Sequence, residues 1–221
     1  MSEHEFEPVH GLPEPLPAGE ALLWQGSPRA FPLARRLFHV VPLAGYFAIL
    51  AAWSAGNAWM AGENALGILA AILFPAALGA LALGILALVA WLMARTTVYT
   101  ITDRRLVLRV GVVLSVTFNI PFGSVASAGL RLHADGTGDL PIALAGDDRI
   151  AYLHLWPHAR PWRFARPEPM LRCVPEGERV ATILAEAILA SQGAAVRAAT
   201  RESAADRARA PNDRATLAAA R

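Results

Sequence analysis

The hydrophobic pattern of the chain changes twice. An acidic, proline-rich leader covers residues 1–36, two long apolar runs come next, and beyond Arg95 apolar and polar residues alternate in short stretches. No charged residue interrupts Leu37 to Gly62, or Ala65 to Ala94. Each run exceeds the roughly 20 residues needed to cross a hydrocarbon core of about 30 Å, so both are predicted transmembrane helices. The second, if helical throughout, is about 45 Å long and must tilt or extend past the lipid. Pro75 is a candidate kink in it, and Gly79 and Gly84 leave room for another helix to approach.

Only Gly62, Glu63 and Asn64 link the two runs, which favours an antiparallel hairpin. Arg29, Arg35 and Arg36 precede the first run. Arg95, Arg104, Arg105 and Arg109 come after the second, and the link carries only Glu63. The positive-inside rule then predicts a multi-pass protein of the cytoplasmic (inner) membrane with both termini in the cytoplasm. Trp53, Trp59 and Trp91 lie near the expected span ends, as interfacial anchors do. The leader has no cleavable signal pattern, because the apolar run starts late and comes after acidic residues.

From Arg95 the period is that of strands. "TTVYTITDRRLVLRVGV" reads as strand, turn at Asp103-Arg104, strand, with Leu106, Leu108 and Val110 on one face and Arg105, Val107 and Arg109 on the other. "SVTFNI", closed by Pro121, is a third strand and "SVASAGLRL" a fourth. "HADGTGD" is a hairpin turn, "LPIALAG" a fifth strand, "RIAYLHL" a sixth and "PMLRCV" a seventh. In the sixth, Tyr152, His154 and Trp156 share one face, and Leu153 and Leu155 face the core. In "EGERVATILAEAILASQG", Val180, Ile183, Leu184, Ala187 and Ile188 form the stripe of an amphipathic helix that packs on the same sheets, with Gly193 placed to cap it.

Composition narrows the function classes. The 221 residues are 55% hydrophobic and 17% charged, too apolar for an ordinary soluble domain. Every basic residue is Arg, and the net charge of +2 gives no nucleic-acid footprint. One cysteine, Cys173, allows no internal disulfide and no zinc knuckle. "DGTGD" lacks the spacing of a calcium loop, and no catalytic string is present, so neither an enzyme nor a metal or cofactor site is expected.

The densest chemistry is "YLHLWPHARPWR", residues 152–163. His154 and His158 are four apart, but Pro157 and the preceding strand exclude the helical geometry a metal pair needs, and no acidic residue or Cys in the motif completes a ligand set. A pigment reading would use His39, His154 or His158 as an imidazole ligand to magnesium. A contact-surface reading uses Trp156 and Trp162 as anchors, and Arg160 and Arg163 as orienting groups, beside Tyr152, His154 and His158. The prolines at 157, 161 and 167 hold the segment extended. The competing structural reading has the Trp pair covering a sheet edge or resting on lipid while Arg meets phosphates.

Two spans, "TVYTITDRRLVLRVGV", the "IPFGSVAS" strand start, a terminal helix and the "GEALLWQGSPRAF" leader together resemble the bacterial pleckstrin-homology-like (PH-like) domains of small membrane proteins. "RLHADGTGD", "RIAYLHLWPHARPW" and "PMLRCVP" resemble the photosynthetic complex assembly proteins of purple phototrophic bacteria, and this likeness extends to about residue 190. It implies an α+β membrane protein. A cytoplasmic leader (1–36) and a transmembrane hairpin (37–94) would precede a PH-like β-barrel or sandwich of about seven strands capped by the helix (95–192), then a flexible tail (193–221). It implies a non-enzymatic assembly factor for the reaction centre, with reaction-centre subunits and membrane lipids as partners. A homodimer of hairpins is left open. The rival reading is a membrane-anchored module that binds anionic lipid or serves a general membrane-stress response.

Overall fold

The computed structural model describes residues 15–112, 114–146, 150–194 and 196–197. A strand, β1 (Leu22–Gly26), and a short helix, α1 (Ala30–Leu37), come before the hairpin formed by α2 (Val40–Met60) and α3 (Ala65–Thr96). Both hairpin helices are long and apolar enough to cross a membrane. Asn64 starts α3 by accepting a hydrogen bond from the Gly67 N–H at 2.9 Å, which satisfies a donor left free by the first turn. The helices meet closely at Gly79, where a Cβ would stand 2.7 Å from the Phe47 ring. Gly84 serves no such approach, since nothing lies within 4 Å of its Cβ position. Helix α3 runs on through Pro75. Its 32 residues outlast the 21 of α2, and α1 packs against it. Leu33 and Ala34 of α1, and Ala90 and Ala94 of α3, are buried. The excess length of α3 therefore ends inside the protein.

The remaining strands are β2 (Val98–Thr102), β3 (Arg105–Val110), β4 (Val116–Pro121), β5 (Val125–Ala128), β6 (Arg131–Leu132), β7 (Gly138–Leu144) and, after the helical turn α4 (Tyr152–Leu155), β8 (Met170–Val174). One sheet has the order β1-β2-β3-β4. In the other, β5 and β6 pair with β7, and β8 also pairs with β7. The expected fourth strand is one run broken at Gly129-Leu130, and the Gly129 N–H still donates to the Pro141 carbonyl at 2.9 Å. The sheets do not close into a barrel. Between them lies a core of Tyr99, Ile101, Leu106, Leu108, Ile120, Phe122, Leu140, Ile142 and Leu171, covered by Val180, Leu184, Ala187 and Ile188 of the last helix, α5, residues 177–194. Val107 is buried too, although it points away from Leu106 and Leu108, so that face of β3 is covered as well. Gly193 lies within α5 and does not cap it.

Two further expectations fail for physical reasons. The leader is not outside the domain. Its β1 pairs antiparallel with β2, and Glu20 takes both Nε and Nη2 of Arg105, at 2.8 and 3.0 Å. The sixth strand does not form either. β5 and β6 pair with β7, as does β8, and no strand pairs with residues 150–155. Without a partner the segment bonds to itself: the Leu155 N–H donates to Ala151 O and the Trp156 N–H to Tyr152 O. A helical turn replaces alternation, so Leu155 is buried and Leu153 is 85% exposed rather than core. Asp147, Asp148 and Arg149, in the expected turn before it, and most of the tail lie outside the described residues.

Candidate functional site

The segment from α4 to β8 divides into an inner and an outer part. Leu155, Pro157, His158 and Ala159 are buried. The His158 ring is placed by β2. The Tyr99 hydroxyl donates to its Nδ1 at 2.7 Å, and its Nε2 lies 3.3 Å from Thr97 Oγ1. The same Tyr99 oxygen accepts the backbone N–H of Arg172 at 3.2 Å. One tautomer, Nε2–H, satisfies all these groups. Burial, then the charge of Arg172, lowers the His158 pKa from 6.5 to about 3, so the ring is neutral. Burial also raises the Tyr99 hydroxyl well above its ordinary value.

The outer part faces away from this core. Trp156 is half-exposed, Trp162 is 86% exposed and Phe164 61%. Tyr152 and Trp162 both contact the Phe164 ring, at centroid distances of 4.8 and 6.3 Å. Trp162 holds a left-handed backbone, φ 63°, which a bulky side chain adopts only when its surroundings impose it. Arg160 is tied back, its Nη1 donating to Glu168 Oε2 at 2.7 Å, and Arg163 Nε stands 3.7 Å from the other Glu168 oxygen. His154 is exposed.

The seven residues expected to form one contact surface are thus split. Tyr152, His154, Trp156, Trp162 and Arg163 reach solvent at least in part, Arg160 is partly covered, and His158 belongs to the interior. Phe164, just past the motif, joins the aromatic group; its only signal in sequence is its place beside Trp162 and Arg163. The three imidazoles offered as alternative pigment ligands sit in different settings, with His154 exposed. His158 has both nitrogens engaged, while His39, exposed, breaks the chain between α1 and α2 with φ 52°. Among the described residues no three His, Cys, Asp or Glu side chains gather as a metal set.

Beside the outer part, between α1 and the second sheet, is a basic cavity of about 600 Å³. The "DGTGD" turn, whose Asp139 lines this cavity, is held by a device unrelated to calcium. Asp135 accepts from the Thr137 N–H and hydroxyl, and its other oxygen takes Arg36 Nη2 at 2.6 Å. Arg36, then Thr137, hold the Asp135 carboxyl well below the usual carboxylate range. Where β7 meets the start of α5, Gly138 and Gly177 pass so closely that a Cβ on Gly177 would collide with the Gly138 backbone.

Comparison with known proteins agrees with this architecture. A family model described as bacterial PH domain matches residues 39–188. A Rhodobacter capsulatus protein named "Uncharacterized 23.7 kDa protein in puhA 5'region" is 43% identical over 191 residues, covering 85% of this chain and 89% of that one. No solved structure gives a significant match. With the family model spanning well over half its length, hairpin and sheets together, the chain belongs to the bacterial PH domain family.

Proposed function

We propose that this protein is a membrane-anchored, non-enzymatic assembly factor for the photosynthetic reaction centre, of the PuhB type, which acts by transient docking on nascent subunits. The observation that carries the reading is the 43% identical relative whose name places it in the puhA 5' region, consistent with a photosynthesis-related role. The membrane part is supported by exposure. Ile49, Trp53, Trp59, Leu66, Phe74 and Leu81 of α2 and α3 are 63–75% exposed, an apolar belt far larger than a soluble monomer leaves in water. Arg95 stacks on Trp91 at 5.0 Å, a pairing suited to the headgroup layer.

The pairing of β1 before the hairpin with β2 after it supports a topology with both ends of the hairpin on one side of the membrane. The arginines at that end favour the cytoplasmic side for it. Reporter fusions at residue 64 and at the C-terminus test this, and a periplasmic C-terminal signal would overturn it. The docking face is the outer part, with Trp156, Trp162 and Phe164 as anchors and Tyr152 and Arg163 at its edge. Co-purification of tagged full-length chain with reaction-centre subunits is the direct test. Trp156→Ala and Trp162→Ala are expected to reduce recovery at matched expression. Undiminished recovery in both, with normal reaction-centre accumulation, defeats the docking role.

A further inference from the structure

The basic cavity has one feature that its own residues leave unanswered. Arg36 from the end of α1, Arg131 from β6, Arg160 from the outer segment and Arg172 from β8 all line it, with His39 and His133. Three of these have acidic partners: Arg36 with Asp135, Arg160 with Glu168, and His133 with Asp139 at 2.9 Å. Arg131 has no ion-pair partner among the described residues. Arg172 has no carboxylate either. It is only 9% exposed, its Nη2 donates to the Ala159 carbonyl at 3.0 Å, and its Nε is a buried nitrogen without any acceptor. A guanidinium buried this far is costly unless a counter-charge and acceptors meet it. The backbone around the cavity is also forced, since His39 and Trp162, both lining it, are left-handed non-glycine residues.

We propose that this cavity is a binding site for the phosphate of an anionic membrane lipid. Several guanidinium forks converging on one space suit the tetrahedral, multiply accepting phosphate. The source is argued from position. Arg36 and His39 stand at the entry to α2, and an apolar groove of about 360 Å³ lies at the same α1–α2 junction, lined by Phe31, Val40, Val41 and Leu83. A headgroup in the basic cavity with an acyl chain along the groove uses both. Free phosphate uses only the first. The site rests on the membrane reading of the hairpin but not on any role in assembly.

The test uses full-length chain purified in a neutral detergent. It is titrated with short-chain phosphatidylglycerol, short-chain phosphatidylcholine or inorganic phosphate, with the apparent Tm as readout. Wild type is expected to gain a saturable rise with phosphatidylglycerol and much less with the other two. Arg131→Glu, at an exposed residue with no ion-pair partner among the described residues, is expected to weaken that binding by about tenfold or more, the equivalent of roughly 1.4 kcal/mol. Its unliganded Tm is measured as its own baseline, because the new carboxylate stands opposite Asp139 across β6 and β7 and lowers it modestly. Arg179→Glu, an equal charge change on α5, is expected to bind as wild type. Equal response to phosphatidylcholine, or wild-type binding by Arg131→Glu, overturns the site. A rise with inorganic phosphate equal to that with phosphatidylglycerol overturns the lipid source. Alkaline carbonate extraction of membranes tests the other layer: release of the chain defeats the membrane reading, whereas retention with wild-type lipid binding by Arg131→Glu defeats the cavity alone.

Discussion

Leu155 and Leu153 stand two residues apart in the same helical turn, yet one is fully buried and the other 85% exposed. The same division separates His158 from Trp162. The first is fixed by Tyr99 and Thr97, and the second meets water over 86% of its surface. One short motif therefore contains a piece of the interior and a piece of the surface. Residue types alone do not sort them, since Leu falls on both sides, and His is buried where Trp is exposed. The direction imposed by the helical turn sorts the two leucines, and hydrogen-bond satisfaction admits His158 to the interior. The interior offers His158 a donor and an acceptor in the right places, so its burial costs little while the ring stays neutral.

Acid gives the largest way to break the inner part. The fold holds His158 with a pKa near 3, whereas the unfolded chain titrates it near 6.5. Its contribution is whole above about pH 6.5 and is lost as pH falls toward 3, because there the unfolded state alone takes up the proton. The loss is on the order of 5 kcal/mol. Apparent Tm against pH, for full-length chain in detergent, should fall across this range, and His158→Gln should flatten the fall. Parallel curves for the two proteins would show that the ring is not held neutral.

Leu155→Ala comes next, with an expected cost of about 2–5 kcal/mol. Leu153→Ala should stay within about 0.5 kcal/mol of wild type. Chemical denaturation of both in the same detergent reads the contrast directly, and equal losses would restore the strand that the helical turn replaced. Tyr99→Phe is smaller, about 1–3 kcal/mol, because it leaves His158 Nδ1 and the Arg172 N–H without their shared hydroxyl. Trp162→Ala belongs with Leu153→Ala at the small end, within about 0.5 kcal/mol, since the ring is 86% exposed and meets Phe164 only edge-on. Its effect on subunit recovery should nevertheless exceed that of Leu155→Ala, once the amount of folded protein is matched.

Much of the architecture is legible in residue order. The two helices, the turn at Asp103-Arg104, the inward set Leu106, Leu108 and Val110, the hairpin at "HADGTGD" and the stripe Val180, Leu184, Ala187 and Ile188 all obey local periodicity, and all are found. Each depends on neighbours within a few residues, which a sequence shows directly. The basic cavity had only a faint trace, a lone arginine in the otherwise apolar "PMLRCV".

Residue order alone was enough for the hairpin, the strand-rich character of the domain after it and the amphipathic last helix. Burial of a face at period 3.6 or 2 needs no knowledge of the partner. The other features were settled only when distant segments packed together. β1 crosses from the leader to pair with β2, some 75 residues away, and which sheet edge is free to pair is a property of the assembled sheet. The same constraint denied residues 150–155 a partner and turned an alternating stretch into a helical turn. Packing also brought Arg36, Arg131, Arg160 and Arg172 into one cavity from three elements and a connecting segment, because charge convergence across long separations is set by the tertiary fold and not by spacing.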